Sequence, residues 1–193
     1  MCPDDPNAGK NETTVKWVGM SQGFHGNYVT CAGSGPVGNR SNVSVPALLA
    51  LPNNGSRTNG MFRASLPVSA AAVIDGLSNT LMMSEILLWL DGEGNDLRGR
   101  YWNTLWLDSS FTSLWPPNTS LTDVADCYGP YPSGAPPCIF GNNDRVMYAR
   151  SNHSGGVCAT LGDGSTRFIS NFIEVNVYRA LGSRNGQEGL ATE

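Results

Sequence analysis

The chain contains no apolar run approaching the roughly 18 to 20 residues that a membrane span requires. Its first residues, Met1-Cys2-Pro3-Asp4-Asp5, lack the basic and apolar character of a secretory signal. Charge is scarce at 15% of residues, and it is not basic: 12 lysines and arginines against 16 aspartates and glutamates leave a net charge of −4. Without a basic face there is no electrostatic footprint for nucleic acid or for an anionic membrane, so neither is an expected partner. Histidine is limited to His25 and His153, and no Cys-x-x-Cys pair occurs, which removes the spacing signature of a zinc site. A serine-hydrolase triad is not expected, since only His25 and His153 could serve as its base. Neither internal repeats nor heptads are found, which excludes solenoids and coiled coils.

What is present is glycine, 23 of 193 residues, in a chain that is 40% hydrophobic. That balance describes one loop-rich globular domain spanning 1–193, long enough to bury a sizeable core. The strongest local signal lies near the C-terminus. Val157 to Leu161 and Ser165 to Ser170 are strand-like runs, and Asp163-Gly164 between them predicts a two-residue turn with both central residues at positive φ. Ser151-Asn152-His153-Ser154-Gly155-Gly156 forms a flexible lead-in. Val157, Ala159 and Leu161 share a face, while Phe168 and Ile169 compete for the matching inward position on the second strand. Downstream, Glu174 to Leu181 predicts a helix with Ile173, Val177 and Leu181 on one side and Gly182 as its left-handed C-terminal residue.

Upstream, the regularity is weaker. Val15 to Val18 and His25 to Cys31 predict short strands, Val45 to Pro52 a short helix or turn, Gly60 to Arg63 a strand, and Pro67 to Val73 one or two helical turns. Ser78 to Trp89 fits either a helix or a strand; the Asp75-Gly76 turn before it and Asp91-Gly92-Glu93-Gly94 after it favour a strand, which puts Glu85 on the apolar face with Leu81, Met83 and Leu87. Residues 99 to 150 predict a long loop interleaved with Trp102, Trp106, Phe111, Trp115, Tyr128 and Tyr131. Loops of that length in a compact domain need a staple or a function. Cys127 and Cys138 flank its Pro- and Gly-rich part and predict a disulfide; Cys2 and Cys31 predict a second, and Cys158 is left over as a small hydrophobe. Disulfides imply an oxidising compartment.

Candidate chemistry is sparse. His153 and Asp163 are the tempting pair, but a strand between them, at about 3.3 Å per residue, holds them on the order of 20 Å apart. Asp163 is expected as a turn residue, and His153 as a hydrogen-bonded histidine beside the far end of the hairpin, where Glu85 or Arg150 approaches. Asp91, Glu93, Asn95 and Asp96 present oxygens on a glycine-bent loop, a composition that suits calcium. Asp75, Glu85, Asp91, Glu93, Asp96 and Asp108 are the acids a glycosidase would draw on, and four of the five tryptophans lie between 89 and 115, where exposed rings would make a sugar platform.

Several blocks resemble one family in the family's order. His153, nine intervening residues and then Asp163-Gly164, Ile74-Asp75-Gly76-Leu77-Ser78-Asn79-Thr80 with Glu85, Gly99-Arg100-Tyr101-Trp102, Pro116-Pro117-Asn118, and Tyr178 to Glu188 are similar to landmarks of planctomycete-type pilin-like proteins that carry a prepilin-type N-terminal helix. The family's Gly-Phe-Thr-Leu-Ile-Glu cleavage site and long apolar helix are not in this sequence. The resemblance implies an α+β globular head of a pilin or pseudopilin: an antiparallel sheet with the 157–170 hairpin at its centre, long loops and a C-terminal helix. It makes His153, Gly155, Gly156, Asp163, Gly164, Asp75, Gly76, Asn79 and Glu85 structural motif residues. It further implies an extracytoplasmic, non-enzymatic protein whose partners are other pilin-like subunits or surface ligands, with membrane contact only through the missing helix, and calcium by analogy with some pseudopilin heads. A surface or periplasmic carbohydrate-binding module is the alternative reading, and an acidic-residue hydrolase the third.

Overall fold

The computed structural model describes residues 1–10, 14–15, 20–21, 23–38, 58–63, 67–90, 95–101, 108–129, 134–141 and 144–186. Among them the chain is a mixed α+β fold. Its strands are β1 (Thr14–Val15), β2 (Met20–Ser21), β3 (Tyr28–Gly33), β4 (Val37–Gly38), β5 (Leu81–Glu85), β6 (Asn95–Asp96), β7 (Ser110–Thr112), β8 (Asp123–Ala125), β9 (Cys127–Tyr128), β10 (Cys138–Phe140), β11 (Asp144–Arg145), β12 (Gly156–Leu161) and β13 (Thr166–Ser170). One α-helix, α1 (Val175–Gly182), follows them.

The main sheet has five strands in the order β13-β12-β5-β3-β7, antiparallel throughout except for the parallel β3–β7 pair. The hairpin is therefore at one edge, and β5 is the central strand. This corrects the expected central hairpin, and the side chains explain it: β13 exposes Thr166, Arg167, Phe168 and Ser170, a polar edge that resists further pairing.

Within the hairpin, Val157, Ala159 and Leu161 face the core with Ile169, which is 5% exposed, whereas Phe168 stands opposite Cys158 on the other face at 55%. The turn is longer than predicted. Gly164 donates its N–H to Leu161 O at 2.9 Å, and Gly164 is the only residue of this turn at positive φ, 85°. Asp163 instead accepts from Ser165 N–H at 2.9 Å and Ser165 Oγ at 2.6 Å, closing a side-chain turn of its own.

The strand assignment for β5 agrees with the structure, but the face does not. Thr160 pairs with Met83 and Leu161 with Leu81, so Met82 is an extra residue that resets the alternation. Leu81 and Ser84 consequently share the core face, and Glu85 projects from the opposite face beside Tyr28 and Cys158.

The core face packs Val29, Leu81, Phe111, Val157 and Leu161 against Tyr178 and Leu181 of α1. Glu174 caps this helix by accepting from the N–H groups of Asn176 and Val177. Val177, expected inward, is 40% exposed; Tyr178 takes its place. Gly182 belongs to the helix and is not a left-handed cap: a Cβ there would lie 1.8 Å from Ser113 Oγ, so the glycine permits close packing.

Residues 60 to 63 are not a strand. Their chain crosses β3 closely, with Gly60 N–H donating to Ala32 O at 3.0 Å. The Pro67–Val73 expectation is met by a single 3-10 turn over Ala70–Ala72. Val45 to Pro52 lies outside the described residues. The predicted long loop carries β7 through β11, and the disulfide Cys127–Cys138 staples it as expected. Cys2 and Cys31 are free thiols, correcting the second predicted bridge. Cys31 sits on the core face with Sγ toward Gly182 O, where burial pushes its pKa up to about 12, whereas Cys2 lies on the far side of the sheet by Glu85 and His153.

Candidate functional site

Three segments converge on the face of β5 opposite the core. Glu85 ends the central strand. Its Oε2 accepts from Cys158 N–H at 2.9 Å, and its backbone O accepts from Arg150 N–H at 2.8 Å. The lead-in to β12 is held by Asn118, the one non-glycine residue at positive φ among those described, whose Oδ1 accepts from Ser151 N–H at 2.8 Å and whose Nδ2 donates to Asn171 Oδ1 at 2.9 Å. Gly156 leaves no room for a side chain, since a Cβ would lie 2.1 Å from Ile169 O, and Gly155 takes φ 84° to turn the chain into β12. These constraints bring His153 over Glu85. The third segment is the N-terminus, where Asp5 is buried, accepting from Asn27 Nδ2 at 2.5 Å and Leu88 N–H at 2.8 Å.

In the cluster, His153 Nε2 lies 3.2 Å from Glu85 Oε1 and 3.6 Å from Cys2 Sγ, while Nδ1 lies 2.5 Å from Asp4 Oδ2. Glu85 is 2% exposed and Cys2 1%. Cysteine, histidine and aspartate in this order have the connectivity of a thiol triad, but the surroundings are wrong for one. Burial, and then the Glu85 carboxylate, raise the Cys2 thiol above its ordinary pKa, the reverse of an activated nucleophile. Of the two groups expected beside His153, Glu85 is the one its Nε2 meets. Asp163 plays no part in the cluster.

A second polar assembly was not visible in the sequence. Arg98 pairs with Asp96 at 2.5 Å and with Asp123 at 2.6 Å; Arg100 pairs with Asp108 and with Asp126 at 2.7 Å each; Arg150 pairs with Asp123 at 2.9 Å; Arg145 pairs with Asp126. All eight groups are buried and paired with one another. Burial alone would raise the Asp96 carboxyl, but Arg98 outweighs it and holds Asp96 below the usual range. Asp108 goes the other way, pushed up to about 8 by burial and by neighbouring Asp126.

A family model for a protein of unknown function, DUF1559, matches residues 1–176. The chain belongs to the DUF1559 family. No curated protein and no solved structure matches it. The DUF1559 match includes Cys2, Asp4, Glu85 and His153, so the whole cluster lies within the family region.

Of the remaining predicted residues in this DUF1559 chain, Gly76 takes φ 93° and Asn79 Nδ2 donates to Asp75 O at 3.1 Å. Asp75 Oδ2 accepts from Gly186 N–H at 2.8 Å, tying the chain end to this turn. Of the residues expected to suit calcium, Asp96 is buried and both of its oxygens accept from the Arg98 guanidinium. Asn95 belongs to the short β6–β9 ladder, and Asp91 and Glu93 lie outside the described residues. Trp102 and Trp106 also lie outside them, and the Trp115 ring is covered by Arg179 at 5.1 Å rather than offered to a sugar.

Proposed function

We propose that this chain is the non-enzymatic globular head of a pilin- or pseudopilin-like subunit that acts through filament assembly or extracytoplasmic surface interaction. The observation that carries the proposal is the sheet face opposite the core. Cross-strand partners place Tyr28, Glu85, Cys158 and Phe168 in one row and Thr30, Met83, Thr160 and Thr166 in the next. Tyr28, Met83, Cys158, Thr30 and Thr160 are half-buried, and Phe168 is exposed. An antiparallel sheet stably leaves one face to solvent when that face is polar. This one carries Tyr28, Met83, Cys158 and Phe168 beside Glu85 and three threonines, apolar area that a helix or a neighbouring subunit would cover. The Cys127–Cys138 disulfide fits an oxidising compartment. No helix among the described residues is long and apolar enough to cross a membrane, so anchoring would come from elsewhere.

The test places an epitope in the exposed Asp163–Gly164 turn of the native gene and labels thin sections of fixed cells with gold-conjugated antibody. Surface or periplasmic labelling in linear or clustered arrays is expected, and it should be lost when Thr160→Glu is added to a chain that still folds. Labelling confined to the cytosol would overturn the proposal.

A further inference from the structure

We propose that Cys2, Glu85 and His153 form a binding site for a zinc-class divalent cation. One donor atom from each lies within 4.8 Å of the other two. Two of the separations, 3.2 Å from Nε2 to Glu85 Oε1 and 3.6 Å from Nε2 to Cys2 Sγ, match the edges of a tetrahedral zinc site. Bond lengths near 2.0 Å to nitrogen and oxygen and 2.3 Å to sulfur give edges of roughly 3.3 to 3.6 Å.

The groups around the imidazole point the same way. Nδ1 lies 2.5 Å from Asp4 Oδ2; in the tautomer that donates there, Nε2 keeps a lone pair for an ion shared with Glu85 and Cys2, and such a carboxylate–histidine relay is the outer-shell arrangement that orients a metal-binding imidazole. Asp96, Asp108, Asp123 and Asp126 each meet an arginine, whereas Glu85, equally buried, meets no arginine or lysine among the described residues. A divalent cation balances one carboxylate and one thiolate. Binding releases the Cys2 thiol proton to solvent as the Sγ–metal bond forms. His153 is 25% exposed, so an ion can reach the cluster from solvent. The competing arrangement is a metal-free imidazolium bridging Asp4 and Glu85.

The reduced, folded full chain is titrated with Zn²⁺ by calorimetry and with Co²⁺ by absorbance. The expected result is one ion per chain, proton release on binding, and a thiolate-to-cobalt charge-transfer band. Cys2→Ser removes the band and His153→Gln weakens binding at least about tenfold, while Asp4→Asn weakens it by about 10- to 100-fold as an outer-shell change does. Cys158→Ser leaves band and affinity unchanged. Should Cys2→Ser fail to fold, protection of Cys2 from alkylation by Zn²⁺ in the unaltered chain replaces it as the readout. No uptake by the folded chain, a band that survives Cys2→Ser, or alkylation of Cys2 unaffected by Zn²⁺ would each overturn the site in favour of the imidazolium bridge.

Discussion

Replacing Asp123 by asparagine removes one negative charge from the buried arginine–aspartate layer without opening a cavity. Asp123 Oδ2 accepts from Arg98 Nη1 at 2.6 Å, and Oδ1 accepts from Arg150 Nη2 at 2.9 Å and Tyr148 N–H at 3.3 Å. Arg98 keeps Asp96 as a partner after the change, but Arg150 keeps only the carbonyl oxygens of Thr119 and Leu121 and its position over the Tyr148 ring. Removing one partner of a buried pair costs about 3 to 5 kcal/mol, because the other charge stays desolvated. For a chain of this length each kcal/mol lowers Tm by about 2 to 4 °C, so Asp123→Asn should lower it by roughly 6 to 20 °C. Urea and thermal unfolding followed by circular dichroism at pH 7 measure both quantities. Arg150→Met combined with Asp123→Asn should lose less than the sum of the single changes, since the second substitution removes the stranded charge. A loss below about 1 kcal/mol in Asp123→Asn would refute the reasoning and show that water reaches the layer.

Three further outcomes are expected. Reducing Cys127–Cys138, which closes a loop with sequence separation 11, should cost about 2 to 3 kcal/mol and open the intervening segment to protease; free thiols at both positions in an unreduced digest would contradict it. Asp108, raised to about 8 in the fold from an ordinary value of 3.8, is held protonated by folding between those limits. Its contribution is complete below the unfolded value and is lost as pH rises through about 8, so stability should fall over that window in the native chain and flatten in Asp108→Asn, read by urea midpoints across pH. In metal-free protein, His153→Ala strips Glu85 of its imidazole partner and should destabilise by about 1 to 3 kcal/mol; an unchanged Tm would show that the bracket carries no weight.

Features written in adjacent residues were legible from the sequence. The β12–β13 hairpin and the helix after Glu174 follow from turn chemistry and helical period, and the Cys127–Cys138 staple from a loop with little else to hold it. Features set by register or by long-range meeting were not. One extra residue at Met82 moved Glu85 to the far face, which period-two reasoning has no means of detecting. Cys2 and His153 are 151 residues apart, so no local spacing announces their contact. Asp96 read as a calcium ligand because aspartates in a glycine-bent loop usually face water; here Arg98, two positions later, folds back onto it. The buried arginines had no sequence signal either, since burial of a charge depends on partners that the sequence does not place side by side.

The proposal that the face of Met83 and Thr160 is covered in an assembly has a direct measurement. A photocrosslinking residue at position 160, introduced into the native gene and activated in living cells, reports what lies on that face. An adduct to a second copy of the chain, or to a helical segment of the same polypeptide, in the extracytoplasmic fraction is the predicted result. An uncrosslinked cytosolic monomer would contradict it.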